Sequence, residues 1–247
     1  VDKAAPDEAT PLCAAAQNGH SDIVELLIES GVDVDKAGPN KATPLCAAAQ
    51  NSHSNIVEIL IESGADVDKA APDGRTPLRM AAQDGHSNVV KMLIESGADV
   101  DKATADGATL LSVAAQNGRS NVVEMLIESG ADVDKATADG ATPLYFVAED
   151  GHRDSDVVKM LIESGANVDE AATGGVTPLN RAARNGHSNV VKMLIESGAD
   201  LNQVTHYGRT SAFAAARSGH AVTFDMFLGA LSCDRRHRCA RQRKTAT

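Results

Sequence analysis

The chain has 247 residues, of which 43% are hydrophobic and only 2% aromatic, with no Trp and a formal net charge of −11. Without aromatics, a core must be built from Ala, Val, Leu, Ile and Met, which suits close-packed short helices better than one large compact domain. The acid excess argues against a body that binds nucleic acid or anionic membrane. Four Cys are too few for a disulfide framework at this length, and neither a signal peptide nor a run of eighteen apolar residues is present.

An intracellular and most simply cytoplasmic location is therefore expected. The charge is uneven. Residues 1–232 carry 17 Lys+Arg against 33 Asp+Glu, whereas the last fifteen carry six basic groups and one Asp. The chain opens on Val1 without an initiator Met and in mid-pattern, so a fragment or processed product is expected.

In chain order the dominant signal is self-similarity. Thr10-Pro11-Leu12 recurs as Thr43-Pro44-Leu45, Thr76-Pro77-Leu78, Thr109-Leu110-Leu111, Thr142-Pro143-Leu144, Thr177-Pro178-Leu179 and, decayed, Thr210-Ser211-Ala212. The steps are 33 residues except for one of 35, where Arg153-Asp154-Ser155-Asp156 accommodates two extra residues. Seven repeats follow, at 1–33, 34–66, 67–99, 100–132, 133–167, 168–200 and 201–232, with a basic tail over 233–247.

The third repeat shows the local logic. Asp73-Gly74 is a turn signal, with Gly free to take positive φ. Thr76 is suited to an N-cap, and Pro77 sits where its missing N–H costs nothing. Leu78, Ala81 and Ala82 have helical spacing, and Gly85 ends that short helix. Val89, Val90, Leu93 and Ile94 form the stripe of a second amphipathic helix, closed by Gly97. Ala98-Asp99-Val100-Asp101 leads to the next turn. One unit cannot hide its own stripe, so neighbours must stack.

These residues resemble the ankyrin repeat: D-G-x-T-P-L-x-x-A-A-x-x-G-H, then V-V-x-x-L, then G-A-D, over residues 1 to about 231. The resemblance implies an all-α class, an α-solenoid of helix-turn-helix repeats joined by β-turn or hairpin-like loops. First helices would lie on a concave side, and protein–protein binding would be the usual role. The family usually has His after Thr-Pro-Leu. Here that position holds Cys13, Cys46, Arg79, Ser112, Tyr145, Asn180 and Phe213, which puts the usual His-mediated bonding between turns in question. Glu8 and Lys41 replace the turn Gly. The last repeat, with Thr223, Phe224 and Phe227, reads as a terminal cap. The first, with Ile23, Val24, Leu27 and Ile28, has the internal pattern, so further repeats before Val1 are expected.

Conspicuous residues have plain structural readings. His20, His53, His86, His152, His187 and His220 recur at one repeat position, too far apart for a shared metal. Cys13 and Cys46 are expected as buried, reduced thiols. Cys233 and Cys239 have no usual zinc spacing. Ser30, Ser63 and paired acids such as Asp33 and Asp35 are copied through the repeats, where a catalytic site should break them. The Lys3, Lys36, Lys69, Lys102 and Lys135 series beside Asp residues is expected to soften repulsion and add little stability.

Variation between repeats marks the candidate partner surface. It comprises Arg75 and Arg79; Asp106 and Gln116; Asp139, Tyr145 and Glu149; Arg181 and Arg184; and Tyr207, Arg209 and Arg217. Arg and aromatics are enriched in binding hot spots, and all six aromatics lie in the fifth and seventh repeats. Phe224 and Phe227 are expected as core, and Tyr145 and Tyr207 as contacts.

The expected function is a non-catalytic protein–protein interaction scaffold that binds its partner through its concave face. It would be monomeric, with no cofactor, no metal and no membrane partner, and would bind a protein whose acidic groups face Arg181, Arg184, Arg209 and Arg217. The basic tail is the one segment open to nucleic acid or nuclear import. The alternatives are a spacer or self-assembling segment, or a docking region for a catalytic domain elsewhere in a longer protein.

Overall fold

In the computed structural model, residues 10–38, 42–104, 106–151 and 155–231 are described. Glu8, Lys41, His152, Arg153-Asp154, the Cys233–Cys239 pair and the basic tail lie outside them. Two compact units divide the chain, Val1–Asp132 and Val133–Thr247. The first contains α1 (Pro11–Asn18), α2 (Ser21–Glu29), α3 (Pro44–Gln50), α4 (Ser54–Glu62), α5 (Pro77–Asp84), α6 (Ser87–Glu95), α7 (Leu110–Gln116) and α8 (Ser120–Glu128). The second contains α9 (Pro143–Asp150), α10 (Ser155–Glu163), α11 (Pro178–Asn185), α12 (Ser188–Glu196) and α13 (Ser211–Ser218), then α14 over 221–231. Within each unit, helices stack as pairs, first helix on first helix and second on second. The fold is an α-solenoid, and no strand forms among the described residues.

Local sequence sets each pair. The threonines before the first helices are N-caps. Thr76 Oγ1 accepts the Arg79 N–H at 3.2 Å, and Thr177 Oγ1 accepts that of Asn180 at 3.1 Å. Pro fills the first helical position of α1, α3, α5, α9 and α11, where no intrahelical N–H is needed. The turns are tight hairpins: Ala71 N–H donates to Arg75 O at 2.9 Å, and Thr205 N–H donates to Arg209 O at 3.0 Å. Among the described residues, only Ala172 and Val176 reach β-bridge geometry.

The apolar stripes of the second helices are buried as expected at Val89, Val90 and Leu93, and at their equivalents in α4, α8, α10 and α12. Ile94 is only partly covered. The stripe of α2 differs. Val24 is buried, but Ile23 is 48% exposed, although its equivalents Ile56, Val89, Val122, Val157 and Val190 are all buried.

Within each unit, polar side chains join neighbouring pairs, in two series. The Asp35 carboxylate accepts the Asp66 backbone N–H, Asp68 that of Asp99, and Asp101 that of Asp132, at 3.1–3.3 Å. In the second unit, Asp134 accepts from Asn167 and Asp169 from Asp200, each at 2.9 Å. Meanwhile Asp33, Asp66 and Asp99 accept N–H groups within their own loops. The paired acids are therefore interlocking caps.

The histidines form the second series. A ring nitrogen of His53 bonds Gln17 O at 3.1 Å, His86 bonds Gln50 O at 3.0 Å, and His187 bonds Glu149 O at 2.9 Å. Each ring thus satisfies a carbonyl at the end of the preceding first helix, a group left open by helix geometry. Gly19 lies under one such ring. A Cβ there would stand 2.8 Å from His53 Cε1, and φ is +77°.

Two measurements test these joints by urea unfolding. Asp68→Ala should cost about 1 kcal/mol, because it removes the carboxylate that accepts the Asp99 N–H, whereas Lys69→Ala, which removes an ion pair to Asp35 at 3.9 Å, should stay within about 0.5 kcal/mol of wild type. Gly19→Ala should cost more than Gly31→Ala. Both carry the ~1–2 kcal/mol left-handed backbone penalty, but nothing lies within 4 Å of a Cβ at Gly31.

Candidate functional site

The position after Thr-Pro-Leu, where the His of the resemblance is missing, bridges turns by other chemistry at Cys13, Cys46, Arg79 and Tyr145. Cys13 Sγ lies 3.6 Å from both Lys36 O and Ala42 O, and Cys46 Sγ lies 3.7 Å from Lys69 O. Both thiols are buried and free, and burial pushes both above the ordinary thiol range. Arg79 Nη1 donates to Ala108 O at 3.1 Å. Its buried Nε has no hydrogen-bond partner, and desolvation holds the guanidinium below its usual range. Ser112 turns back to its own Thr109 O at 2.8 Å.

Tyr145 extends this series. It is 6% exposed, packed against Ala141 and Ala172, with Phe146 edge-on to its ring. Its hydroxyl accepts from Arg181 Nε at 2.9 Å and also from Arg181 Nη2. The same guanidinium stacks over the ring at 4.9 Å and pairs with Glu149 at 3.4 Å. The ring expected as a contact is thus largely internal, covered by the next helix pair. Tyr145→Phe should cost about 1 kcal/mol in chemical denaturation by unpairing Arg181 N–H groups, and Arg181→Ala should cost at least as much.

The remaining candidate residues fall into two sets. Arg75, Arg79, Asp106 and Gln116 belong to the first unit. Arg75 Nε donates to Asp73 at 2.6 Å, and the Asp106 carboxyl, bonded by the Thr104 hydroxyl, is held below the usual carboxylate range. Gln116 is exposed. In the second unit, the Asp139 carbonyl accepts the Thr173 N–H at 2.7 Å, tying adjacent turns together.

Arg184, Tyr207, Arg209 and Arg217 converge. They line one groove of about 550 Å³ together with Thr173, Asn180, Thr205 and Phe213. The hairpin turns at 172–176 and 205–209 and the exposed sides of α11 and α13 position them. His206 N–H donates to Gly174 O at 2.8 Å, fixing one turn against the other. Tyr207 is 81% exposed and Phe213 is 47% exposed. The Arg209 guanidinium sits between them, 5.4 Å from the Tyr207 ring and 5.6 Å from the Phe213 ring. Phe213 varies between repeats, but the sequence left it between core and contact and did not single out Thr173 or Thr205. Phe213 occupies the bridging position of α13, where among the described residues no further turn packs over it.

Capped short helices in pairs, joined by hairpins whose tips and first-helix faces carry the variable side chains, define a class: a repeat scaffold. The family profile described as ankyrin repeats (3 copies) matches residues 1–71, 68–137 and 111–205, and the chain belongs to the ankyrin-repeat family. Among solved structures it is similar to the crystal structure of the ankyrin repeat domain of Bcl-3, a unique member of the IkappaB protein family. The TM-score is 0.78 at 27% identity, covering 86% of this chain and 97% of that one. A search of curated protein sequences finds no match. Ankyrin repeats are in general protein–protein interaction modules. Among the described residues, no helix is long and apolar enough to cross a membrane.

Proposed function

We propose that the chain is a non-catalytic scaffold that binds a protein partner through the turn tips and first-helix faces of its repeats, with the groove between the 172–176 and 205–209 hairpins as the principal contact. One observation carries this reading: two exposed aromatics and three arginines gathered on a framework whose other conspicuous residues are engaged in holding it together. Rigid, preorganised Arg and Tyr side chains lose little freedom on binding, which is why such residues dominate interface energetics. His53, His86, His187, the paired acids and the buried thiols are engaged in structural joints, which supports a scaffold role.

The test compares captured proteins from a lysate. Wild type is set against R184A/Y207A/R209A and against Gln116→Ala, with thermal unfolding of all three as a control for folding. A partner retained by wild type and Gln116→Ala but lost by the triple variant is the expected result. Equal retention by all three would falsify the groove as the contact.

A second reading, self-assembly, has its own support in Ile23 and Leu26, which are 48% and 61% exposed on α2. Sedimentation equilibrium separates the two readings: a mass that rises with concentration and falls back with Leu26→Glu would favour assembly.

A further inference from the structure

We propose that the occupant of the groove is a short, extended, acidic peptide segment of the partner, with carboxylates that bridge Arg184, Arg209 and Arg217 and an apolar side chain set against Tyr207 and Phe213. This rests on the protein-binding reading above and gives it a chemistry.

Charge pairing carries the argument. Elsewhere, six described cations pair with a carboxylate, while Arg79 and Lys102 bond backbone carbonyls instead. Arg75 pairs with Asp73, Arg181 with Glu149 and Lys69 with Asp35, while Lys91, Lys159 and Lys192 each pair with the Glu four residues on. Among the described residues, Arg184, Arg209 and Arg217 make no ion pair. Nor does any Asp or Glu line the groove they share, although the chain holds 34 such residues against 23 Lys and Arg. Three unpaired guanidiniums without a local acid, in an acidic protein, leave a concentrated demand for carboxylate.

Geometry narrows the occupant. A volume of about 550 Å³ admits a few side chains, within the ~300–1,000 Å³ range of ligand pockets, and excludes the broad face of a folded domain. Arg209 resting on aromatic rings is held in place while its in-plane N–H groups stay available, and those are the groups that grip a carboxylate in bidentate fashion. The rings on either side offer an apolar seat. Asn180, buried at the groove and the residue before Arg181, adds an amide able to bond a peptide main chain. A nucleic acid would satisfy the arginines too, but its continuous phosphate charge must leave the groove over a surface rich in Asp and Glu. A segment with two or three carboxylates need not. The chain's own basic tail is excluded by sign.

The probe is a fluorescein-labelled nonapeptide carrying four Glu around one central Phe, read by anisotropy at low salt. The full chain should bind it, with affinity falling as salt rises. It should bind the same peptide with Lys in place of Glu at least about tenfold more weakly, as expected when charge complementarity sets the partner. R184E/R217E should invert that preference, a gain that misfolding cannot imitate. Phe213→Ala and Tyr207→Ala should weaken binding of the Phe peptide but not of its Phe→Ala version.

Failure to bind the acidic probe, or binding unchanged in R184E/R217E, overturns the proposal. So does a nine-nucleotide oligo-dT that binds more tightly than the peptide through the same residues. If the acidic probe fails while R184A/Y207A/R209A still loses its captured protein, this proposal falls and the protein-binding reading stands. If that variant also retains the protein, both fall.

Discussion

A helix pair of this chain has no inside of its own. Val89, Val90 and Leu93 on α6, and the same positions on α4, α8, α10 and α12, leave water fully only when neighbouring pairs add to the cover given by the first helix of their own pair. Burial of that stripe is worth ~1.5–3 kcal/mol per side chain, so it compels stacking. Everything else adapts to it. The first helices are short and rich in Ala, so backbones approach closely, and the polar joints of Asp and His occupy the loops and helix ends that stacking brings side by side.

Much of this was legible in the residues. The Thr-Pro-Leu recurrence placed the first helices, because a capping hydroxyl followed by Pro has few other uses. The valine stripes placed the second. The roles of the paired acids were not legible: Asp35 and Asp33 look alike in sequence, yet one reaches the next pair and the other its own loop. Only a three-dimensional register separates them. The same limit applies to Tyr145. A tyrosine that differs between repeats reads as a contact, but whether the following pair covers it depends on a partner 36 residues away, Arg181.

The candidate groove was half legible. Arg184, Tyr207, Arg209 and Arg217 break the repeat, and the structure gathers them. Phe213 could not be assigned to core or contact from sequence, because the position it fills reaches the following turn at Cys13, Cys46, Arg79 and Tyr145 and lies open here. The exposure of an apolar ring at a bridging position is a matter of neighbours, not of residue type.

The joints described here never reach beyond the adjacent pair. Asp68 touches the Asp99 loop and His86 the end of α3, and neither goes further. Mechanically, such a chain within each unit is a series of links rather than a network. Drawn out from one end, it should give way link by link, each release paying out 33 residues, or 35 for the fifth repeat, roughly 110 Å of extended backbone, while the links behind it stay closed.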